Sequence, residues 1–384
     1  MVFVTSLSAI GCCFSYWILD TVAKNRFSEA AKMKQIVIAL IFGGRSTEHF
    51  VSLRSAAAIH TALLALGHQV HCIAIDQEGT WRYQGQPRAC PGEVNCAAPV
   101  VSLCPGRRSL TYEANGQRAV EVDIDLLFPA LHGRWGEDGT IQGLAAMCGI
   151  PCVGSGVLGS AVSMDKDITK RLLKFSGVAV APWMAMRTMR SWDEVVECLG
   201  STTLFVKPAT SGSSIGVSRV SNASEYAQAY AVAARIDTKV LVEVEILGRE
   251  VECGVLESAG GLLASVVGEI VTKEGQRFYD YQAKYDVADA ADIRVPCQLP
   301  QSIVSSIQEL SKKTFRCLEL TGYARVDFFL RNDGTVLLNE VNTLPGFTST
   351  SMYPKILECS GFPLPRLVGE IVDYAVLWNA CDRL

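Results

Sequence analysis

Gln35-Ile36-Val37-Ile38-Ala39-Leu40-Ile41-Phe42, closed by Gly43-Gly44, is the stretch that sets the fold class. It is nearly all apolar and too short for a typical helix. It therefore reads as a strand buried on both faces, the kind found in parallel sheets. A polar turn, Arg45 to His49, follows, and Val51 to Leu66 then repeats at helical spacing and stops at Gly67. A second strand runs from Gln69 to Ile75. Strand, turn, helix and strand in that order predict an open α/β domain whose ligand edge lies at the carboxyl ends of the strands. Asp123 to Leu131 reads as another buried strand and Ile150 to Gly154 as a short closing one. Residues 80–120, rich in Pro, Gly and Cys, read as a decorated loop or hairpin.

Farther along, Leu204 to Pro208 and Lys239 to Glu245 read as strands of a second, smaller unit, with an Ala-rich helix, Ser224 to Arg235, between them. Strands over Glu250–Leu256, Leu262–Ile270, Ala324–Leu330 and Thr335–Glu340, with helices over Ser302–Leu320 and Pro365–Trp378, make the C-terminal half mixed α+β. The expected organisation is an N-terminal open α/β domain over 34–154, a central domain over 155–245 and a C-terminal domain over 246–384. Residues 1–33 read as an extension. Met1 to Leu19 carry no charge, lack the basic start of a secretory signal and barely reach the ~20 apolar residues of a membrane span. The extension is expected to be dispensable, with the working chain beginning near Met33; a membrane anchor is the alternative.

The chain has 384 residues, with 35 Lys and Arg against 39 Asp and Glu, a formal charge of −4. That balance gives no basic field for nucleic acid. Charged residues at 19% and apolar residues at 49% describe a globular protein with a large core and exclude extensive disorder. The 14 cysteines are scattered without a Cys-x-x-Cys pair, which fits buried thiols of an intracellular enzyme better than a disulfide scaffold. Cys90, Cys96 and Cys104 lack a fourth zinc ligand at a usual spacing. All five histidines lie at or before His132, so a later metal site must use oxygen or sulfur ligands.

Arg325-Val326-Asp327 and Leu338-Asn339-Glu340-Val341-Asn342 carry the strongest chemical signal. On adjacent antiparallel strands, period two turns Asp327, Glu340 and Asn342 to one face. Two carboxylates and an amide oxygen are hard ligands suited to Mg²⁺ that also holds phosphates; an ordinary polar strand face is the alternative. Lys207-Pro208-Ala209-Thr210-Ser211-Gly212-Ser213-Ser214-Ile215-Gly216 is a small-residue loop whose N–H groups can close on an anion, with a lysine for phosphate. It is not a Walker A loop, and a simple hairpin turn is the other reading. Gly43-Gly44 is not a dinucleotide fingerprint. Glu48 stands instead at a helix start facing the cleft, where it can cap the helix or hold an ammonium. Phe278 to Tyr285, dense in aromatics inside the long stretch Thr272 to Pro296, reads as an active-site lid or a solvated strand pair. Gly346 can offer a close N–H to an oxyanion, and Arg325 can add charge.

Six ordered motifs resemble the D-alanine–D-alanine ligases of the ATP-grasp family. They are Phe42 to Glu48, Leu131-His132-Gly133 with Gly136-Glu137-Asp138-Gly139, Ser163-Met164-Asp165-Lys166, Lys207 to Gly216, Phe278 to Tyr285, and Asn339 to Pro354. The resemblance spans the chain from about Lys34. It implies an ATP-grasp fold in which the open α/β domain is followed by two α+β domains that clamp ATP. ATP phosphorylates the carboxylate of one D-alanine, and the amine of a second attacks the acyl phosphate. By motif position, Asp327, Glu340 and Asn342 would hold two Mg²⁺ ions, with Mn²⁺ able to substitute. Lys166, Lys207 and Lys284 would contact phosphates, and Glu243 and Glu250 would face adenine and ribose. Glu48, linked to Ser213 and Tyr285, would bind the first ammonium, with His132 beside it. Arg325 and the Gly346 N–H would stabilise the oxyanion, and Ser351 with Met352 would line the second subsite. A cytoplasmic homodimer serving peptidoglycan precursor synthesis, with no nucleic acid and no stable membrane association, completes the implication.

Relatives that use D-lactate or D-serine as acceptor resemble this chain elsewhere. Lactate-type loops bear a His that is missing here, and both kinds tend to carry Arg where Met352 stands; the two positions favour D-alanine. Phe50 departs from the charged residue common in the family, and Val244-Glu245 puts an extra acid near the expected adenine edge. A nucleotide-binding protein that kept the fold without turnover is the alternative from another class, and Glu48, Arg325, Asp327, Glu340 and Asn342 together argue against it.

Overall fold

The computed structural model describes residues 35–113, 119–258, 260–272 and 291–381. The N-terminal extension and the Phe278–Tyr285 stretch, with Lys284 and Tyr285, lie outside the described residues.

Strand β1 (Val37–Gly43) runs parallel to β2 (Gln69–Ile75) on one side and to β7 (Leu126–Ala130) on the other; β3 (Trp81–Gly85) adds an antiparallel edge. Helix α1 (His49–Ala65) packs on one face. Ile38, Leu40 and Phe42 enter the core that contains Leu53 and Ile59 of α1, while Ala39 and Ile41 enter a second core with Ile141 and Ala145 of α2 (Thr140–Cys148). Both faces of β1 are covered, which is why its sequence does not alternate.

Two expectations for this region are corrected. The single strand Asp123–Leu131 is two, β6 (Val120–Asp123) and β7, in different sheets. The break falls at Ile124-Asp125. There the Val37 N–H donates to the Asp125 carboxylate (2.9 Å) and the Asp125 N–H donates to the Val37 carbonyl (2.9 Å), so a side chain stands in for the ladder. β6 pairs instead with β5 (Ser109–Tyr112), and β5 with β4 (Val101–Leu103), giving a three-stranded antiparallel sheet that takes two of its strands from the expected loop or hairpin over residues 80–120. Tyr83 stacks on Tyr112 at 4.1 Å and ties this sheet to β3. The expected strand Ile150–Gly154 is reduced to one parallel bridge, Leu127 to Cys152.

The second sheet contains β8 (Trp183–Met186), β9 (Leu204–Pro208), β10 (Ser218–Val220) and β11 (Val240–Val244), all antiparallel in the order β10-β9-β11-β8. Its core joins Leu204, Val206, Val240 and Val242 to Val195 of α5 (Trp192–Leu199) and to Tyr226 and Ala233 of α6 (Ala223–Ile236). Lys207 and Glu243 alternate with these residues and project from the opposite face toward α4 (Lys166–Phe175).

The third sheet, β14-β13-β12-β15-β16, is antiparallel throughout. It is made of β12 (Arg249–Ser258), β13 (Gly261–Thr272), β14 (Ala291–Arg294), β15 (Tyr323–Leu330) and β16 (Val336–Asn342). On one face, Ile307 and Phe315 of α7 (Gln301–Cys317) pack with Val326, Phe328 and Leu338. On the other lie α8 (Met352–Cys359) and α9 (Leu364–Cys381). Tyr353, Ile356, Leu367 and Ile371 of these helices share one continuous core with Leu40, Phe42 and Ile59. The first and third sheets are thus fused through a single apolar body, whereas the second keeps its own. Among the described residues no helix is long and apolar enough to cross a membrane.

Candidate functional site

A cleft opens where the carboxyl end of β1 meets the third sheet. Glu48, His132, Gly212, Ser213, Glu250, Arg325, Asp327, Glu340, Asn342, Gly346, Ser351 and Met352 all line it. Twelve residues singled out in sequence are therefore brought to one place.

The third sheet builds one wall. Asp327 lies directly opposite Glu340, and Arg325 opposite Asn342, so period two turns all four to the cleft. Arg325 forks onto Asp327 through Nε and Nη2, both at 2.8 Å, and its Nε also pairs with Glu252 at 2.7 Å. Burial alone would lower the Arg325 pKa, but Asp327 and Glu252 raise it well above the ordinary value. Asn342 Nδ2 donates to Asp327 at 2.9 Å, which turns the amide oxygen away from that carboxylate. Among the described residues no three His, Cys, Asp or Glu side chains are placed to hold a metal by themselves. Two carboxylates and an amide oxygen nevertheless form a hard donor set, which fits an ion that completes its shell with phosphate and water.

The first domain builds the facing wall. Glu48 sits at the start of α1, and Ser213 Oγ donates to its Oε1 from the small-residue loop of the second sheet. Ser213 and Ser214 adopt φ of 49° and 58°, a left-handed conformation that costs non-glycine residues energy and is held by the surrounding contacts. Gly133 (φ +72°) approaches Glu48 so closely that a Cβ would stand 3.2 Å from Oε2. His132 Nδ1 donates to the Leu344 carbonyl (2.9 Å), so Nε2 accepts from Ser55 Oγ (3.2 Å), while Ser55 accepts from the Phe347 N–H (3.1 Å). Burial lowers the His132 pKa, opposed by Glu48 and by the bond to the Leu344 carbonyl and aided by Arg325.

Two further residues belong here that the sequence reading gave no role. Glu137 accepts from the N–H groups of Gly133 (2.8 Å) and Leu344 (3.1 Å), bridging the walls; burial and the charge of Glu48 push its carboxyl up to about 7. Glu252 alternates with Glu250 on β12, so the Glu250-Val251-Glu252 spacing was a signal that both face the cleft.

The region around Ser351 and Met352 is tightly packed. Met352 begins α8 and is pressed against Gly268 of β13, where a Cβ would lie 2.4 Å from its sulfur. Ser351 Oγ accepts from the Thr348 N–H (3.1 Å), and a Cβ on Gly346 would lie 2.7 Å from it, so a side chain there would close the loop against its own serine.

The lysines stand at the second sheet. Lys166 Nζ donates to the Ser211 carbonyl (2.7 Å) and lies 3.5 Å from Glu340, bridging the small-residue loop and the third sheet. Asp165 caps α4 through the N–H groups of Asp167 and Ile168, and it pairs with Lys239 at 2.5 Å. Lys207 and Lys170 both pair with Glu243. Glu245, the extra acid, forks onto Arg219 at 2.7 and 3.0 Å and is held by that partner. Phe50 is 63% exposed beside His49 and contributes no contact to the cleft lining.

A fused pair of sheets, a separate antiparallel sheet beside it, and lysines and acids converging between them define the ATP-grasp class. Two family models cover most of the chain: "D-ala D-ala ligase N-terminus" over residues 37–155 and "D-ala D-ala ligase C-terminus" over residues 172–373. The chain belongs to the D-alanine–D-alanine ligase family. It is 67% identical over 352 residues to the D-alanine--D-alanine ligase A of Pseudomonas putida, covering 92% of this chain and all of that one. The D-alanine-D-alanine ligase structure from Coxiella burnetii superposes with a TM-score of 0.80 at 32% identity, over 91% of this chain and 97% of that one. A D-Ala:D-Ser ligase structure from Enterococcus faecalis reaches 0.76 at 32% identity, over 89% and 100%.

Proposed function

We propose that this protein joins two D-alanines into D-alanyl-D-alanine at the expense of ATP, through an acyl phosphate, as a step in making peptidoglycan precursors. The observation that carries the reading is the Glu48–Ser213 pair facing Arg325, Asp327, Glu340 and Asn342 across one cleft. An ammonium and a carboxylate of one small amino acid can span those two walls.

Glu48 holds the ammonium of the first D-alanine, and its hydrogen bond from Ser213 fixes the carboxylate's orientation. His132, fixed by Leu344 and Ser55, packs beside it. Arg325 faces the carboxylate that is phosphorylated, and with the Gly346 N–H it stabilises the oxyanion formed when the second amine attacks. Lys166, Lys207 and Lys284 hold phosphates, and Glu243 and Glu250 meet the nucleoside. Asp327, Glu340 and Asn342 would hold two Mg²⁺ ions, with Mn²⁺ as a substitute, and ions bound there would supply charge neutralisation for the transferring phosphoryl group. The remaining work is positioning, since phosphoryl transfer needs alignment and charge neutralisation more than covalent help. By family resemblance, Tyr285 would complete the Glu48–Ser213 pair. Ser351 and apolar Met352 wall the acceptor side, which supports D-alanine over acceptors that bring a hydroxyl. Family resemblance supports a cytoplasmic homodimer organised as domains 34–154, 155–245 and 246–384.

Incubation with ATP, Mg²⁺ and D-alanine tests the reading: phosphate release should depend on D-alanine and match dipeptide formed. Added D-serine or D-lactate should yield no more than a minor mixed product by mass. Phosphate release indifferent to D-alanine contradicts the proposal.

A further inference from the structure

Lys170 is the third ion of a buried cluster that also contains Lys207 and Glu243. It lies on α4 one turn after Lys166, and its side chain is 1% exposed. Its Nζ pairs with Glu243 Oε1, and Lys207 Nζ pairs with Oε2 of the same carboxylate. Strand register explains the second contact. Lys207 lies opposite Leu241, and Glu243 is two residues farther along the same face, a diagonal neighbour within reach of a long side chain. The first contact comes from a helix outside the sheet.

Two ammonium groups on one carboxylate sum to +1. A buried charge without its own partner is strongly unfavourable, and removing one member of a buried pair strands the other. Burial would raise the Glu243 pKa, but Lys170 and Lys207 override it and hold the carboxyl at about 2, so the acid is ionised throughout the working range. Burial lowers the Lys170 pKa, Glu243 opposes that, and Lys207 and Lys166 add repulsion. One lysine therefore satisfies Glu243, and the other is in surplus. Lys170 has less room to leave, with its Nζ 6.0 Å from the Trp183 ring centroid and its side chain 1% exposed. Lys207, at 10%, is the more exposed of the two.

We propose that Lys170 is the standing counter-ion of Glu243 and thereby leaves Lys207 available to a phosphate of ATP. This rests on the reading of Lys207 as a phosphate ligand. Without Lys170, Glu243 and Lys207 become a balanced buried pair, and Lys207 can reach a phosphate only by abandoning an unpaired carboxylate. Lys170 is thus a positioning residue that touches no substrate.

The test is ATP affinity in the presence of Mg²⁺, measured by calorimetry for the wild type, Lys170→Met, Glu243→Gln, the double variant and Lys207→Met, with KM for D-alanine alongside. Lys170→Met should weaken ATP binding about tenfold, the loss of one charge-assisted contact, and leave KM for D-alanine unchanged. In the Glu243→Gln background, Lys170→Met should cost little, because no carboxylate remains to capture Lys207. Should Lys170→Met fail to fold, Lys170→Gln, which keeps a hydrogen-bond donor without the charge, carries the same expectations. Wild-type ATP affinity in the Lys170 variant overturns the proposal. So does a loss of equal size in both backgrounds, which would mark a packing role. Unchanged ATP affinity in Lys207→Met overturns the phosphate reading itself, and the proposal with it.

Discussion

The apolar body that fuses the first and third sheets and the small core of the second sheet hold different parts of the site. The fused body runs from Leu40 and Ile59 to Tyr353 and Leu367, and it fixes Glu48, His132, Arg325 and Asp327 relative to one another. The second sheet closes only on its own helices through Leu204, Val242 and Tyr226. It meets the rest of the site through polar contacts: Ser213 on Glu48, Lys166 on Ser211, and Lys239 on Asp165. The residues proposed for acid and oxyanion chemistry thus sit on the fused frame, and those proposed for the nucleotide sit on a unit joined by hydrogen bonds and ions. Packed cores resist partial movement, whereas polar seams can open and re-form.

Core truncations should break the comparison if it is wrong. Leu367→Ala in the fused body should lower the stability of the main unfolding transition by about 2–5 kcal/mol. Leu204→Ala should cost a similar amount only in the second sheet, read by hydrogen exchange of β9 and β11. Equal loss of protection everywhere in both variants would make the molecule one cooperative unit. Next in size, Arg325→Met on the frame should lower kcat by about 10²–10³ with a smaller change in KM. A variant that changes KM alone would remove Arg325 from the reacting centre. Across the seam, Ser213→Ala should raise KM for the first D-alanine about tenfold, since it removes one hydrogen bond to a charged group.

The smallest effect is a pH dependence of the frame. Burial raises the Glu137 carboxyl from its ordinary 4.5 to about 7, so the folded state binds that proton more tightly than the unfolded chain. Its contribution to stability is present below about pH 4.5 and is lost as pH rises through about 7. Glu137→Gln, uncharged at every pH, should therefore gain on the wild type between pH 5 and pH 8 in urea midpoint. A difference that stays constant across that range would mean the carboxyl titrates normally.

The frame was more legible in the sequence than the seam. Val37–Gly43 announced itself because a doubly covered strand needs an unbroken apolar run. Asp327, Glu340 and Asn342 followed from period two on paired strands. Glu252 obeyed the same rule beside Glu250, but its meaning depends on Arg325 lying across β15, which no local pattern reveals. Lys170 had no signal at all: a lysine on a short helix reads as solvated until a strand of another sheet brings Glu243 to it. The division of Asp123–Leu131 was hidden for a similar reason. Asp125, just before β7, bonds to Val37, a partner far away in the chain.

In the proposed reaction a D-alanine carboxylate oxygen attacks the γ-phosphate of ATP, and the second amine then displaces phosphate from the acyl phosphate. D-alanine carrying ¹⁸O in both carboxylate oxygens, incubated with the full chain, ATP and Mg²⁺, tests this directly by mass spectrometry of the products. The account predicts one labelled oxygen in each phosphate released and one D-alanyl-D-alanine per phosphate. Unlabelled phosphate, or labelled phosphate without dipeptide, would contradict it.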